Sequence, residues 1–138
     1  MFCDLVGSTA LSRRFDPEDL REVVGAYHRV VAETVGLYDG FVAQYLGDGV
    51  LVYFGYPRAH EDDAERAIRA ALASIDAVGH LNVKSAALQA RIGIATGLAV
   101  VGDLIGTCSA QQRSVIGETP SLAAQTSKGC HPGTIHEV

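Results

Sequence analysis

The residues best suited to chemistry are two aspartates in small-residue surroundings. Tyr45-Leu46-Gly47-Asp48-Gly49-Val50-Leu51-Val52-Tyr53-Phe54 sets one carboxylate at the tip of a tight turn between two apolar, β-branched and aromatic runs. That pattern predicts a hairpin, with Gly47 and Gly49 supplying the backbone freedom the turn needs. Asp4 has similar surroundings in Met1-Phe2-Cys3-Asp4-Leu5-Val6-Gly7-Ser8-Thr9, where an apolar strand runs into a small-residue loop. Hard oxygen donors at two strand ends, beside a Gly-Ser-Thr loop, are what a magnesium or manganese ion shared with a phosphate chain requires. The plainer alternative is that Asp4 caps the following turn and Asp48 is a hairpin residue.

Other chemistries find less support. The glycines from Gly97 to Gly102 carry Asp103 where a phosphate-binding P-loop needs Lys, and Gly93 with Gly97 does not complete a dinucleotide fingerprint. No serine sits in a strained nucleophile elbow. Cys3, Cys108 and Cys130 are odd in number, far apart and without CxxC spacing, so they read as reduced thiols of a cytoplasmic protein rather than zinc ligands. A net charge of −5 and the absence of any Lys/Arg cluster argue against a nucleic-acid surface. No apolar run reaches the roughly 18 residues of a membrane span, and no signal peptide is present.

The elements that must position the aspartates follow from periodicity. With 138 residues, 48% of them apolar, one domain with one core is expected. Only three residues precede Asp4, so the chain is expected to begin inside its first strand, as a fragment would, and to be truncated at its other end too. Asp16-Pro17-Glu18-Asp19 provides an N-cap, a first-turn proline and first-turn acids. The helix it starts runs to Val35 or Gly36 and buries Leu20, Val23, Val24, Tyr27, Val30, Val31, Thr34 and Val35. Strands are expected over 41–46 and 50–54, apolar on both faces and therefore covered twice. A second helix extends from His60 or Glu61 to Val78, with Ala64, Ala67, Ile68, Ala71, Leu72 and Ile75 inward. Gln89 to Thr96 and Arg113 to Ile116 read as strands, and Gly117-Glu118-Thr119-Pro120 starts a helix reaching Thr126. Tyr27, Tyr45 and Phe54 are assigned to the core, and His28, His60 and His80 to the solvated surface. Arg91 is expected to pair with a nearby acid. The order β-α-β-β-α-β predicts an α+β sandwich of ferredoxin-like type.

Four stretches in order carry a resemblance: Phe2 to Thr9, Tyr45 to Gly49, Arg91 to Gly97, and Gly117 to Ala124. Together they resemble the catalytic domain of the class III adenylate and guanylate cyclases, in particular the bacterial branch often fused to ATPase or regulatory modules. The resemblance covers nearly the whole chain. It implies a homodimer with active sites at the interface that converts ATP to cyclic AMP and pyrophosphate. It places two magnesium or manganese ions on Asp4 and Asp48, assisted by the Leu5 carbonyl, and the triphosphate on the amides of Val6, Gly7, Ser8 and Thr9. Gln44 falls where the family has a purine-reading lysine, and Ser114 where it has that lysine's Asp or Thr partner. Ser121 replaces the Asn, and Gln125 the Arg, that the family sets against the transition state. These replacements lead to an alternative expectation, a catalytically weak cyclase-like domain that binds nucleotide or serves as a regulatory dimerisation module. A diguanylate cyclase shares the sheet order, but its Gly-Gly-acidic turn is missing here.

Overall fold

The computed structural model describes residues 1–103, 113–116, 118–129, 131–133 and 135–137. Gly117, Cys108 and Cys130 therefore lie outside the described residues. The chain opens with β1 (Phe2–Leu5) and two helices, α1 (Ser8–Arg14) and α2 (Pro17–Gly36). The central hairpin follows as β2 (Phe41–Leu46) and β3 (Gly49–Tyr53), and then α3 (Asp63–His80). A short hairpin of β4 (Asn82–Val83) and β5 (Ala86–Ala87) leads into β6 (Ala90–Ile94). A second hairpin, β7 (Val100–Asp103) and β8 (Arg113–Ile116), precedes α4 (Glu118–Gly129) and β9 (Ile135–Glu137).

The main sheet has the order β2-β3-β1-β6-β9. Strand β1 runs antiparallel to both β3 and β6, and β9 joins β6 in parallel. Because β1 and β2 are joined through α2, and β3 and β6 through α3, β1 ends at the centre between β3 and β6. This is the expected ferredoxin-like βαββαβ unit. The extra elements are α1, the β4–β5 hairpin, and the β7–β8, α4 and β9 segment.

Side chains alternate across β1, so Cys3 and Leu5 face α2 and α3 while Phe2 and Asp4 face the other way. The larger core lies on the first side, with Cys3, Leu5, Val23, Tyr27, Val31, Val50, Val52, Ala67, Ala71 and Ile92 among its buried members. On the second side Phe2, Leu51 and Ala123 form a smaller cluster under α4. Gly93 permits that packing, since a Cβ there would run into the Ala123 carbonyl and stand 2.6 Å from the Ser127 nitrogen. The helix caps as read: Asp16 accepts from the Asp19 amide at 2.8 Å, with Pro17 in the first turn.

Several expectations need correction. Residues 8 and 9 belong to α1 rather than to a loop, because Gly7 at φ 70° turns the chain into a helix directly after the strand. Helix α3 begins at Asp63, since Asp63 instead accepts the His60 amide at 2.7 Å and caps the turn before it. Its inward face is Ala67, Ala70, Ala71, Ser74 and Val78, a small-residue stripe against α2; Ala64 is exposed and Leu72 is 59% exposed. The hairpin is not covered equally. Val50 to Val52 of β3 are buried, but β2 is an edge strand whose Tyr45 and Leu46 are each 47% exposed, so Tyr45 is not a core residue.

Candidate active site

Asp4 and Asp48 come together at one end of the sheet. β1 delivers Asp4 next to β3, and the hairpin tip brings Asp48 back beside it, with Gly47 at φ 63° completing the turn. Asp4 is half-buried, and its carboxyl is held above the usual carboxylate range. Burial is the first cause; Arg91 opposes it, and Asp48 adds to it both by charge and through a side-chain hydrogen bond. Arg91, paired with Asp4 in the β1–β6 register, donates from Nη2 to Asp4 Oδ2 at 2.7 Å. The expected acid partner of Arg91 is thus Asp4 itself. Two carboxylates at hydrogen-bonding range, with one guanidinium bound to Asp4, form a site whose remaining negative charge favours a cation.

The donor set fits a hard divalent ion that completes its coordination with something other than protein. Among the described residues no group of three or more His, Cys, Asp or Glu gathers anywhere, so a closed protein cage is not available. Mg²⁺ is commonly held by one or two carboxylates plus phosphate oxygens, which matches a pair. Leu5, whose carbonyl was expected to assist, has a buried side chain that anchors the strand end in the core.

The predicted phosphate segment is changed in detail. The Val6 amide donates to the Gln89 carbonyl at 2.8 Å, which commits it to the β1–β6 pairing. That removes Val6 from the set of amides facing a ligand. Gly7, Ser8 and Thr9 stand at the start of α1, where the first N–H groups lack intrahelical partners. A cavity of about 390 Å³ lined by Ser8, Pro17, Leu20, Arg21, Val24, Gly47 and Asp48 adjoins this end of the sheet.

The other predicted residues lie on three different elements: Gln44 on β2, Ser114 on β8, and Ser121 with Gln125 on α4. Gln44 is registered with Leu51, Leu51 with Phe2, and Phe2 with Gly93, so one row crosses the sheet toward α4. Ser121 and Gln125, one turn apart on α4, are both exposed. Ser114 is paired with Gly102 in the β7–β8 hairpin, outside the main sheet. A second cavity, of about 340 Å³, opens at the far end of β3 between Tyr53, Tyr56, Gly97, Leu98, Thr119 and Pro120. Neither Asp4 nor Asp48 lines it, and the exposed Leu98 does.

Periodicity placed Tyr27 in the core without naming its partner, and it misplaced His28. The Tyr27 hydroxyl donates to Cys3 Sγ at 3.1 Å in the core, and burial pushes the Cys3 thiol up to about 12. His28 is not a solvated surface residue: its ring lies 4.6 Å from that of Tyr45, and burial lowers its pKa. His60 is likewise engaged, with Nδ1 3.2 Å from Asp63 Oδ1, whereas His80 is exposed as expected. The sequence signal was membership of the buried α2 stripe for Tyr27 and, for His28, only its place beside it.

A family model for the adenylate and guanylate cyclase catalytic domain matches residues 1–137. The chain belongs to this family. Adenylate cyclase 1 of Rhizobium meliloti is 32% identical over 130 residues, 91% of this chain and 19% of the relative. An adenylate cyclase of Streptomyces coelicolor is 35% identical over 108 residues, 77% of this chain and 26% of the relative. This cyclase domain therefore spans about a fifth to a quarter of the length of those curated relatives. Among solved structures it resembles the guanylyl cyclase Cya2, with 30% identity and a TM-score of 0.90 over 99% of this chain and 71% of that one. It also resembles the adenylyl cyclase CyaB from P. aeruginosa, with 26% identity and a TM-score of 0.82 over 97% of this chain and 72% of that one. Among the described residues of the cyclase domain no helix is long and apolar enough to cross a membrane.

Proposed function

We propose that this cyclase domain converts ATP to cyclic AMP and pyrophosphate in the cytoplasm, as a homodimer and with two magnesium or manganese ions. The convergence of the Asp4 and Asp48 carboxylates, with Asp4 above its ordinary pKa, is the observation that carries this reading. In the reaction the ribose 3′-oxygen forms a bond to the α-phosphorus, the bond from that phosphorus to the bridging oxygen breaks, and the hydroxyl proton passes to solvent. Divalent metal, when bound, would supply the Lewis acidity that lowers the 3′-hydroxyl pKa and offsets charge on the leaving pyrophosphate.

The chain's own residues do the holding. Asp4, Asp48 and the Leu5 carbonyl are the metal ligands in this reading, and Arg91 keeps Asp4 in one rotamer through its 2.7 Å bond. Gly7, Ser8 and Thr9 offer backbone amides to the triphosphate. Gln44 and Ser114 hydrogen-bond the purine edge, and Ser121 with Gln125 donate to the ribose and to the oxygens of the transferring phosphoryl group. The exposure of Ser121 and Gln125 supports a site closed by a second subunit, with the carboxylates of one chain meeting α4 of the other. Attached regulatory or ATPase domains are consistent with relatives several times longer than this chain.

A second reading, a nucleotide-binding or regulatory dimerisation module with little turnover, is favoured by one feature. Neither Ser121 nor Gln125 carries charge, and loss of one preorganised donor typically costs about 10²–10³ in rate. Incubation with Mn²⁺ and ATP, followed by chromatography for cyclic AMP, separates the two. Product that disappears in Asp48→Ala supports the enzyme, and product that survives the substitution refutes the assigned site. Metal-dependent ATP binding without product establishes the module.

A further inference from the structure

Two adjacent residues of α2 each hold one of the chain segments that carry a carboxylate. Tyr27, fully buried, donates its hydroxyl to Cys3 Sγ at 3.1 Å, one residue before Asp4. The Tyr27 hydroxyl also lies within electrostatic reach of both Asp4 and Asp48. His28, the next residue, sets its ring 4.6 Å from that of Tyr45 and interacts with the Gly47 backbone, one residue before Asp48. Its Nε2 is buried with no hydrogen-bond partner among the described residues, a cost that packing alone does not require.

The hairpin tip needs such a prop. Tyr45 and Leu46 are half exposed, β2 is an edge strand, and its pairing with β3 shifts register between Val42 and Gln44. Strand β1, by contrast, is fixed between two neighbours. The separation of the two carboxylates therefore depends on how the tip is held relative to β1, and α2 is the element that touches both through consecutive side chains.

We infer that Tyr27 and His28 are positioning residues that set the spacing of Asp4 and Asp48, and with it the affinity of the site for a divalent cation. This rests on reading the two carboxylates as metal ligands. Groups that orient metal ligands commonly cost 10–100-fold in affinity when replaced.

The test is a titration of the protein with Mn²⁺ alone, free ion being counted by electron paramagnetic resonance, with thermal midpoints measured on the same samples. Asp48→Ala should abolish the binding; if it binds Mn²⁺ as the parent does, the metal reading and this inference fall together. With Asp48→Ala impaired, Tyr27→Phe and His28→Leu should each weaken binding about 10-fold. His28→Gln, which keeps a polar group toward Gly47, should recover most of that loss. A lowered midpoint with Mn²⁺ affinity within twofold of the parent would make both residues purely structural and overturn the inference while leaving the metal site standing. Tyr27→Phe, nearly isosteric, decides the matter if His28→Leu does not fold.

Discussion

The carboxylate end of the sheet and the exposed face of α4 are built on opposite terms. At the first, Asp4 sits beside buried strands, pairs with Arg91 and is backed by the Tyr27–Cys3 bond in the main core. At the second, Ser121 and Gln125 project from a helix anchored only by its other side, through Ala123 and Ser127 against Gly93. The difference teaches where preorganisation resides in this domain. Like-charged side chains need an enclosing structure to hold them together, so the chain supplies it; on the proposed reading, donors that serve a second subunit can remain on an open surface until it arrives.

The largest expected effect breaks the enclosed end. Asp48→Ala should lower cyclic AMP formation by at least about 10²-fold in a timed assay with Mn²⁺ and ATP, while a circular dichroism melt shows the fold retained. The exposed face can be sharpened instead. Gln125→Arg adds a charge one turn from Ser121 and should raise the same activity, by up to about 10²-fold if α4 faces the transferring phosphate. An unchanged rate would remove Gln125 from the catalytic set.

Gly93→Ala attacks the seam between the two regions by driving a methyl group into the Ala123 carbonyl. Overpacking of this kind costs about 1–3 kcal/mol, to be read from the midpoint shift in urea at constant m-value. A shift below the resolution of that experiment would mean that α4 is readily displaced from the sheet.

A pH prediction bears on the enclosed end alone. The folded-state pKa of Asp4 lies above its unfolded value, so its protonated form favours the native state; the contribution is complete below the unfolded pKa and is lost as pH rises through the folded one. In metal-free buffer Asp4→Asn should therefore flatten part of the fall in thermal midpoint on raising pH from the acid side through the carboxylate range. A parent and variant with parallel profiles would contradict the shift. The smallest effect is chemical silence. Cys3, fully buried and pushed up to about 12, should resist alkylation by iodoacetamide at pH 8 until denaturant is added, as followed by peptide mass spectrometry.

Much of this was legible from residue order because the relevant signals are local. The Asp16-Pro17 start, the apolar spacing from Val23 to Val35 and the Gly47-Asp48-Gly49 turn each specify their element without reference to distant chain. The two aspartates stood out for the same reason: each is a charge where small neighbours and strand ends leave it room. What stayed hidden depends on pairing at long range. The partner of Asp4 is 87 positions away, and only the β1–β6 register brings Arg91 to it. Tyr45 looked like core from its apolar neighbours, yet its strand is the sheet edge, a fact of strand order that no local pattern encodes.

The amino-acid sequence alone determined helices α2, α3 and α4, the central hairpin, the ferredoxin-like order and the identity of the two acids, because periodicity and turn chemistry act over a few residues. The tertiary structure alone decided that those acids meet, that Val6 gives its amide to the sheet, and that His28 turns inward against the hairpin tip. Each of these is a contact between segments far apart in the chain, and its energy exists only once the sheet has assembled.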